Sequence, residues 1–343
     1  MPKHINPAYR RQTAKTYSLA ECQRLIKSDT QVLSQLISRA ESTLAADKKF
    51  LKSVYKVLHR KKDVKRIAIT GAPGVGKSSF LNAYCKHLID SGYRVAILPV
   101  DPSSYTTRGS ILGDKTRMDA LVGIEGVFIK PMASALALGG VAPATSAAIC
   151  LCEMADYDYI FIETVGVGQS EYEVRDLVDL FILLLQPGGG DELQGIKRGI
   201  MEMADLLLIT KADGELKSVA QLSRDNYRSA LSLFSINEWS WKPRCALFSS
   251  MTTEYLSGLD QQIEAYYAHM EKGNRLAQFR MHQEQLRFKE GQKNLLYRRL
   301  SEKKSIKERI ETLSLSISSG ELSHLQALNS LEELLENIDA YIP

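Results

Sequence analysis

The chain has no apolar run long enough to cross a bilayer. Its longest, Leu180-Phe181-Ile182-Leu183-Leu184-Leu185, spans six residues, against the roughly 20 that a spanning helix needs. This argues against a membrane partner. Cysteine is scarce and unpaired. Of five, Cys22, Cys85 and Cys245 lie far apart, and Cys150 and Cys152 form a lone C-x-C with no second pair and no nearby histidine. That spacing fits neither a zinc site nor a disulfide framework, and it suits reduced thiols. Histidine is also sparse. The six are scattered, and none stands at the end of an expected strand. There is no excess of one charge: 44 basic against 40 acidic residues leave a formal +4, not gathered into a block. Nucleic acid is therefore not an expected partner. The first 20 residues have no apolar core, so no secretory signal is expected; Lys3, Arg10, Arg11 and Lys15, with no acid among them, read as a short solvated tail rather than as an organelle presequence. A cytoplasmic location is expected.

Glycine, by contrast, is concentrated where it carries chemistry. Gly71-Ala72-Pro73-Gly74-Val75-Gly76-Lys77-Ser78 fits G-x-x-x-x-G-K-[ST], the phosphate-cradling loop, with Ser79 following. Residues 66–70 before it read as a buried strand. Residues 79–90 after it read as a helix, with Gly92 as its C-terminal signal. Glycines let backbone N–H groups approach phosphates, and the helix N-terminus adds partial positive charge. Lys77 is expected to reach the β and γ phosphates, and the Ser78 hydroxyl to bind magnesium.

Three regions are expected. Residues 1–62 form an N-terminal helical extension, opened by the capping box Ser18-Leu19-Ala20-Glu21. Its apolar stripe takes in Leu33, Leu36 and Ile37, with Leu44 and Leu51 further on. Residues 63–258 alternate strands and helices, with strands at 66–70, 94–100, 126–130, 159–163, 180–185, 206–210 and 244–248. Short strands apolar on both faces predict an α/β fold of the P-loop type, with a mostly parallel sheet covered on both sides. From 259 to 343 glycine thins out and charge rises. Leucines and isoleucines from Leu286 to Ile317, then Leu322 to Ile338 after Ser318-Ser319-Gly320, predict a helical arm with a narrow seam suited to self-association.

Ligands of parallel sheets sit at the carboxyl ends of the strands, and the polar signals fall there. Asp101 ends the strand after the P-loop helix, where a carboxylate can hold magnesium opposite Ser78. Asp114 lies in a Thr-, Ser- and Gly-rich loop that can order around a γ-phosphate. Glu163 stands at a Walker B-like position before Thr164-Val165-Gly166-Val167-Gly168-Gln169. Gln169 can orient a water, or serve only the loop. Lys211-Ala212-Asp213 has the look of a base-selecting loop. A carboxylate such as Asp213 accepts from guanine N1–H and the 2-amino group, which adenine does not offer. The Lys211 stem can cover the base, and Ser249, Ser250 and Met251 can offer backbone N–H groups to O6.

The runs Asp101-Pro102-Ser103-Ser104, 109–118, 163–170 and 190–197 resemble the MeaB/ArgK family, GTPase chaperones of adenosylcobalamin-dependent methylmalonyl-CoA mutase. The resemblance implies GTP or GDP as bound nucleotide, with Mg2+ among Ser78, Asp101, Asp114 and Glu163. It also implies a third switch over 186–198 with Asp191, Glu192 and Lys197 at its charged positions, and a homodimer through the C-terminal helices. The partner it implies is the mutase, whose cofactor loading the family gates. An older label for the family, a kinase of a transport system, leaves phosphorylation of a small molecule or transport protein as the alternative. In one place the chain departs from the usual Asn-Lys-x-Asp base motif: Thr210 stands at the Asn position. Thr is shorter, so the tie from base loop to P-loop is expected to be lost, with weaker nucleotide affinity.

Overall fold

In a computed structural model of the chain, residues 17–42, 44–101, 118–133, 142–164, 170–188, 198–233, 237–301 and 303–339 are described. By contact the chain divides into two compact units, Met1–Gln283 and Glu284–Pro343. The composition change at 259 precedes the boundary in contacts.

The first unit is built on one parallel sheet. Its strands are β1 (Lys65–Thr70), β2 (Val95–Asp101), β3 (Val127–Ile129), β4 (Met132–Ala133), β5 (Tyr159–Thr164), β6 (Leu180–Leu185), β7 (Leu206–Ile209) and β8 (Arg244–Leu247). The order is β3-β2-β5-β1-β6-β7-β8, with β4 pairing β2 beyond β3. All seven expected strands are present. The two-residue β4 is additional, too short to leave a pattern in the sequence.

Side chains alternate across the sheet with the period of two that extended backbone imposes. Ala68, Ile160, Ile162, Phe181, Leu183, Leu207 and Ile209 join one apolar cluster. Ile67, Ile69, Phe161, Ile182, Leu184 and Leu208 join the other. The first cluster is closed by α1 (Leu19–Leu25), α2 (Thr30–Glu41), α3 (Ala45–Val57), α5 (Ala142–Met154) and α8 (Lys217–Ser232). The short helices α6 (Ser170–Arg175) and α7 (Arg198–Met203) belong to the same side. The second is closed by α4 (Lys77–Asp90), α9 (Leu256–Glu271) and the start of α10 (Arg275–Ser301).

Locally the sequence signals hold. Ser18 and Glu21 form the reciprocal capping box, and Leu33, Leu36 and Ile37 are buried. Leu44 does not continue the stripe. It is 64% exposed, because it sits at the N-cap of α3 after the chain breaks from α2. In the second unit, α11 (Lys304–Ser318) and α12 (His324–Asp339) form a helical hairpin, with Ile306, Leu313 and Ala327 buried. Gly320, at φ +78°, follows the end of α11.

The amino edge of the sheet carries a buried ionic network that the sequence reading did not foresee. The Asp179 carboxylate, fully buried just before β6, accepts from Arg280 Nε at 2.8 Å, from an Arg280 terminal nitrogen at 2.7 Å, and from the Arg66 N–H at 3.1 Å. Burial alone raises this carboxyl, but Arg280 outweighs it and holds the group below the usual carboxylate range. The Arg66 guanidinium in turn meets buried Glu153 at 2.6 Å. Before β7, Asp205 accepts from the Phe181 N–H at 2.9 Å and pairs with Arg175 at 3.2 Å. Here burial prevails, and the carboxyl is pushed up to about 6.

Removing one member of such a pair leaves a buried charge uncompensated, at a cost of roughly 3–5 kcal/mol. Arg280→Ala is expected to lose that much in urea unfolding at pH 7. Asp179 is held low in the folded state, so its stabilisation is present at neutral pH and fades as pH falls. The deficit of the variant should therefore shrink towards acid pH.

Candidate nucleotide site

The P-loop leaves the carboxyl end of β1, the central strand. Gly71 has φ +148°, and a Cβ there would stand 2.6 Å from the Leu184 carbonyl oxygen on β6. Gly74 and Gly76 also have positive φ, +79° and +101°, and Gly76 caps α4. The loop therefore needs glycine for close approach at one position and for left-handed backbone at the others. Lys77 Nζ lies over the loop and donates to the carbonyls of Gly71 at 2.7 Å and Ala72 at 3.2 Å. Ala72, Pro73, Val75 and Ser79 complete the turn into α4, with Val75 buried.

Register brings an acid alongside. Glu163 pairs with Ile69 on β1 and with Pro99 on β2. Its Oε1 lies 3.4 Å from the Ser78 hydroxyl. One residue on, the Thr164 hydroxyl donates to the Thr70 hydroxyl at 2.8 Å in a buried contact that joins the two strand ends. Asp101 is the last residue of β2. Further along α4, burial holds the Cys85 thiol well above its usual range, so it stays neutral. A hydroxyl facing a carboxylate across a loose gap is an oxygen pair of the kind a small hard divalent cation takes. Among the described residues, no group of three His, Cys, Asp or Glu could hold a metal alone. Such an ion would need further oxygens. Asp114, Gln169, Asp191, Glu192 and Lys197 lie outside the described residues.

The second half of the site is the exit of β7 and β8. Lys211 takes φ +54° and is exposed. The Ala212 N–H donates to the Phe248 carbonyl at 3.1 Å, and Tyr255 OH donates to the Ala212 carbonyl at 3.1 Å. The buried Ser249 hydroxyl donates to the Asp213 carboxylate and accepts from the Met251 N–H. This lock was not foreseen. It also engages one of the N–H groups expected to face a base, and leaves Ser250 exposed beside it.

Thr210 overturns its expectation. Its hydroxyl lies 2.8 Å from the Val75 carbonyl of the P-loop and 3.1 Å from the Leu185 carbonyl. The tie from base loop to P-loop is present. β6 and β7 run close enough beside the loop for a side chain shorter than Asn to bridge the gap.

The family description "Methylmalonyl Co-A mutase-associated GTPase MeaB" matches residues 33–305. The chain belongs to the MeaB family. It is a P-loop GTPase. It is 39% identical over 322 residues to the mouse methylmalonic aciduria type A homolog, mitochondrial, covering 90% of this chain and 77% of that protein. It is 44% identical over 218 residues to GTPase ArgK of Escherichia coli K12, covering 64% of this chain and 66% of that one. A crystal structure described as LAO/AO transport system kinase superposes with TM-score 0.72 and 28% identity, covering 94% of this chain and all of that one. That structure shares the fold described above.

Gly71→Ala would force a methyl group onto the Leu184 carbonyl, a strain of about 1–3 kcal/mol. A fall in GDP affinity of about tenfold or more is expected by calorimetric titration. Gly92→Ala, also at positive φ but with open space around it, should leave GDP affinity unchanged.

Proposed function

We propose that this chain is a guanine-nucleotide switch acting on adenosylcobalamin-dependent methylmalonyl-CoA mutase, gating its cofactor loading and protecting it. The observation that carries the nucleotide reading is the Asp213 carboxylate. Ser249 orients it at the end of β7, next to a P-loop that Thr210 ties to the same strand end. A fixed carboxylate there accepts from guanine N1–H and the 2-amino group together. Adenine leaves it unpaired and is rejected. The Lys211 stem covers the base, and the backbone of Ser249 and Ser250 serves O6, the Met251 N–H being held by the Ser249 hydroxyl.

In this reading the backbone of 71–79 cradles the phosphates, and the Lys77 ammonium turns from the loop carbonyls to the β and γ phosphates. Ser78, Asp101, Asp114 and Glu163 hold Mg2+ and its waters. The ion would neutralise charge that develops on the transferred phosphoryl group. Gln169 orients the attacking water. Asp191, Glu192 and Lys197, on the segment that leaves β6, report nucleotide state to the partner. The mutase partner rests on the family description and on the name of the mouse relative. The five buried, free cysteines suit a reducing compartment, and no described helix is long and apolar enough to cross a membrane.

The name of the structural neighbour favours a second reading, a kinase. That reading needs a general base beside an acceptor. His87 is instead held by Asp260 in the last turn of α4, and His269 faces the Trp239 carbonyl. We also assign self-association to the C-terminal arm, where Phe288, Leu315, Leu325 and Leu328 are 72%, 71%, 61% and 58% exposed.

Free phosphate released from GTP, measured with and without the mutase, tests the function. A rise of about tenfold or more on adding the mutase is expected, and Lys77→Ala should abolish turnover. Unchanged turnover would sink the partner. Label appearing on an added acceptor would favour the kinase. For the arm, sedimentation at micromolar concentration should give twice the chain mass, and Leu325→Glu with Leu328→Glu should give the single chain.

A further inference from the structure

The Thr210 side chain sits where it can touch the P-loop, and its donor capacity is one hydrogen. A threonine hydroxyl has a single O–H to give and otherwise only accepts. Here that hydrogen faces two carbonyl oxygens, Val75 at 2.8 Å and Leu185 at 3.1 Å. The residue is 3% exposed, so the hydroxyl points into protein and not out of the base pocket. The Thr210 main-chain N–H is also taken, by the Leu185 carbonyl at 2.8 Å. Every hydrogen that Thr210 can donate is therefore committed within the fold.

Guanine N7 is an acceptor only, as is O6. It can be read only by a donor. Two neighbouring donors are taken as well: the Ala212 N–H goes to the Phe248 carbonyl, and the Met251 N–H to the Ser249 hydroxyl. In the guanine reading the Asp213 carboxylate serves N1–H and the 2-amino group, the exposed Ser250 serves O6, and the Lys211 stem covers the ring face. None of these addresses N7.

We infer that the base site of this chain is blind to purine N7, and that Thr210 is the positioning residue responsible. It anchors the base loop to the P-loop through a hydroxyl and thereby leaves the imidazole edge of the ring unread. The inference rests on the guanine reading above and specifies which edges of guanine are recognised. An asparagine at this position carries two amide hydrogens, enough for one carbonyl of the P-loop and one ring nitrogen.

Binding of GDP, 7-deaza-GDP and ADP to the full chain, each by calorimetry with magnesium, tests this. The 7-deaza compound replaces N7 by a C–H and leaves the Watson–Crick edge intact. GDP and 7-deaza-GDP should bind within about twofold of each other, below the smallest effect of a lost hydrogen bond. Thr210→Asn should prefer GDP over 7-deaza-GDP by about two- to tenfold. Thr210→Val should weaken both ligands alike by a similar factor, with Thr210→Ser restoring them. Thermal unfolding of each variant separates loss of the fold from loss of the tie. A wild-type preference for GDP over 7-deaza-GDP of about fivefold or more, with ADP still rejected, would overturn the inference and leave the guanine reading standing. An unchanged ratio in Thr210→Asn would overturn the assignment to this residue. Equal binding of GDP and ADP would remove the guanine reading and this inference with it.

Discussion

The Cα of Gly71 lies so close to the carbonyl of Leu184 that no side chain fits between them. This backbone contact seats the P-loop on the end of β6 rather than only on its own strand. The next residue of β6, Leu185, gives its carbonyl to Thr210, whose hydroxyl also reaches back to Val75 in the loop. Three strand ends therefore meet around one short stretch of β6. The groups proposed to hold phosphates and those proposed to hold a base share a single backbone anchor. Residue 186 follows at once in the chain, so the segment proposed to speak to a partner begins at that anchor.

The two edges of the sheet are built on different principles. At the amino edge, Asp179, Asp205, Glu153, Arg66, Arg175 and Arg280 are interlocked by short, charge-assisted bonds and closed over by Tyr266 and Tyr267. These contacts reach across as many as 101 positions in sequence and fix where α10 begins. At the carboxyl edge, the two acids Glu163 and Asp213 each meet a hydroxyl. The Glu163 carboxylate lies 3.4 Å from the Ser78 hydroxyl, and Asp213 is oriented by a neutral hydroxyl. A carboxylate already neutralised by arginine would make a poor ligand for a cation or for ring N–H groups. The ion pairs of Asp179, Asp205 and Glu153 lie at the opposite end of the strands from the acids proposed to meet a ligand.

Much of this was legible in the sequence, because the signals are local. The seven main strands announce themselves as short apolar runs, the P-loop by its spacing, and the first helix by the Ser18–Glu21 reciprocal cap. What escaped depends on distances between elements. Nothing in the order of residues says that Arg280 will meet Asp179, although an acid directly before each of two apolar strands, Asp179 and Asp205, was a readable hint. Leu44 fits a helical stripe by spacing, but the stripe is interrupted by a break in the chain that spacing does not carry. Thr210 was misread for the same reason. The length of a side chain settles what it can span only once the gap is known, and the gap is set by how β6 and β7 pack beside the loop.

The position of Lys77 bears on how such a loop can switch. Its ammonium donates to two carbonyls of the loop it belongs to, so the loop has an internal cation at the place where phosphate charge is proposed to sit. Bringing a phosphate oxygen there exchanges neutral acceptors for charged ones, and charge-assisted bonds are roughly twice as strong as neutral ones. The gain is the difference between the two sets, not the full strength of the new bonds. A loop held open by its own lysine and by glycine geometry needs little rearrangement to receive phosphate, so most of that difference is available for affinity. In the proposed switch, the terminal phosphoryl group would need only to alter the balance at Lys77, Ser78 and Glu163 for neighbouring segments to respond. That is a local electrostatic change acting on a backbone anchored at Gly71 and Thr210.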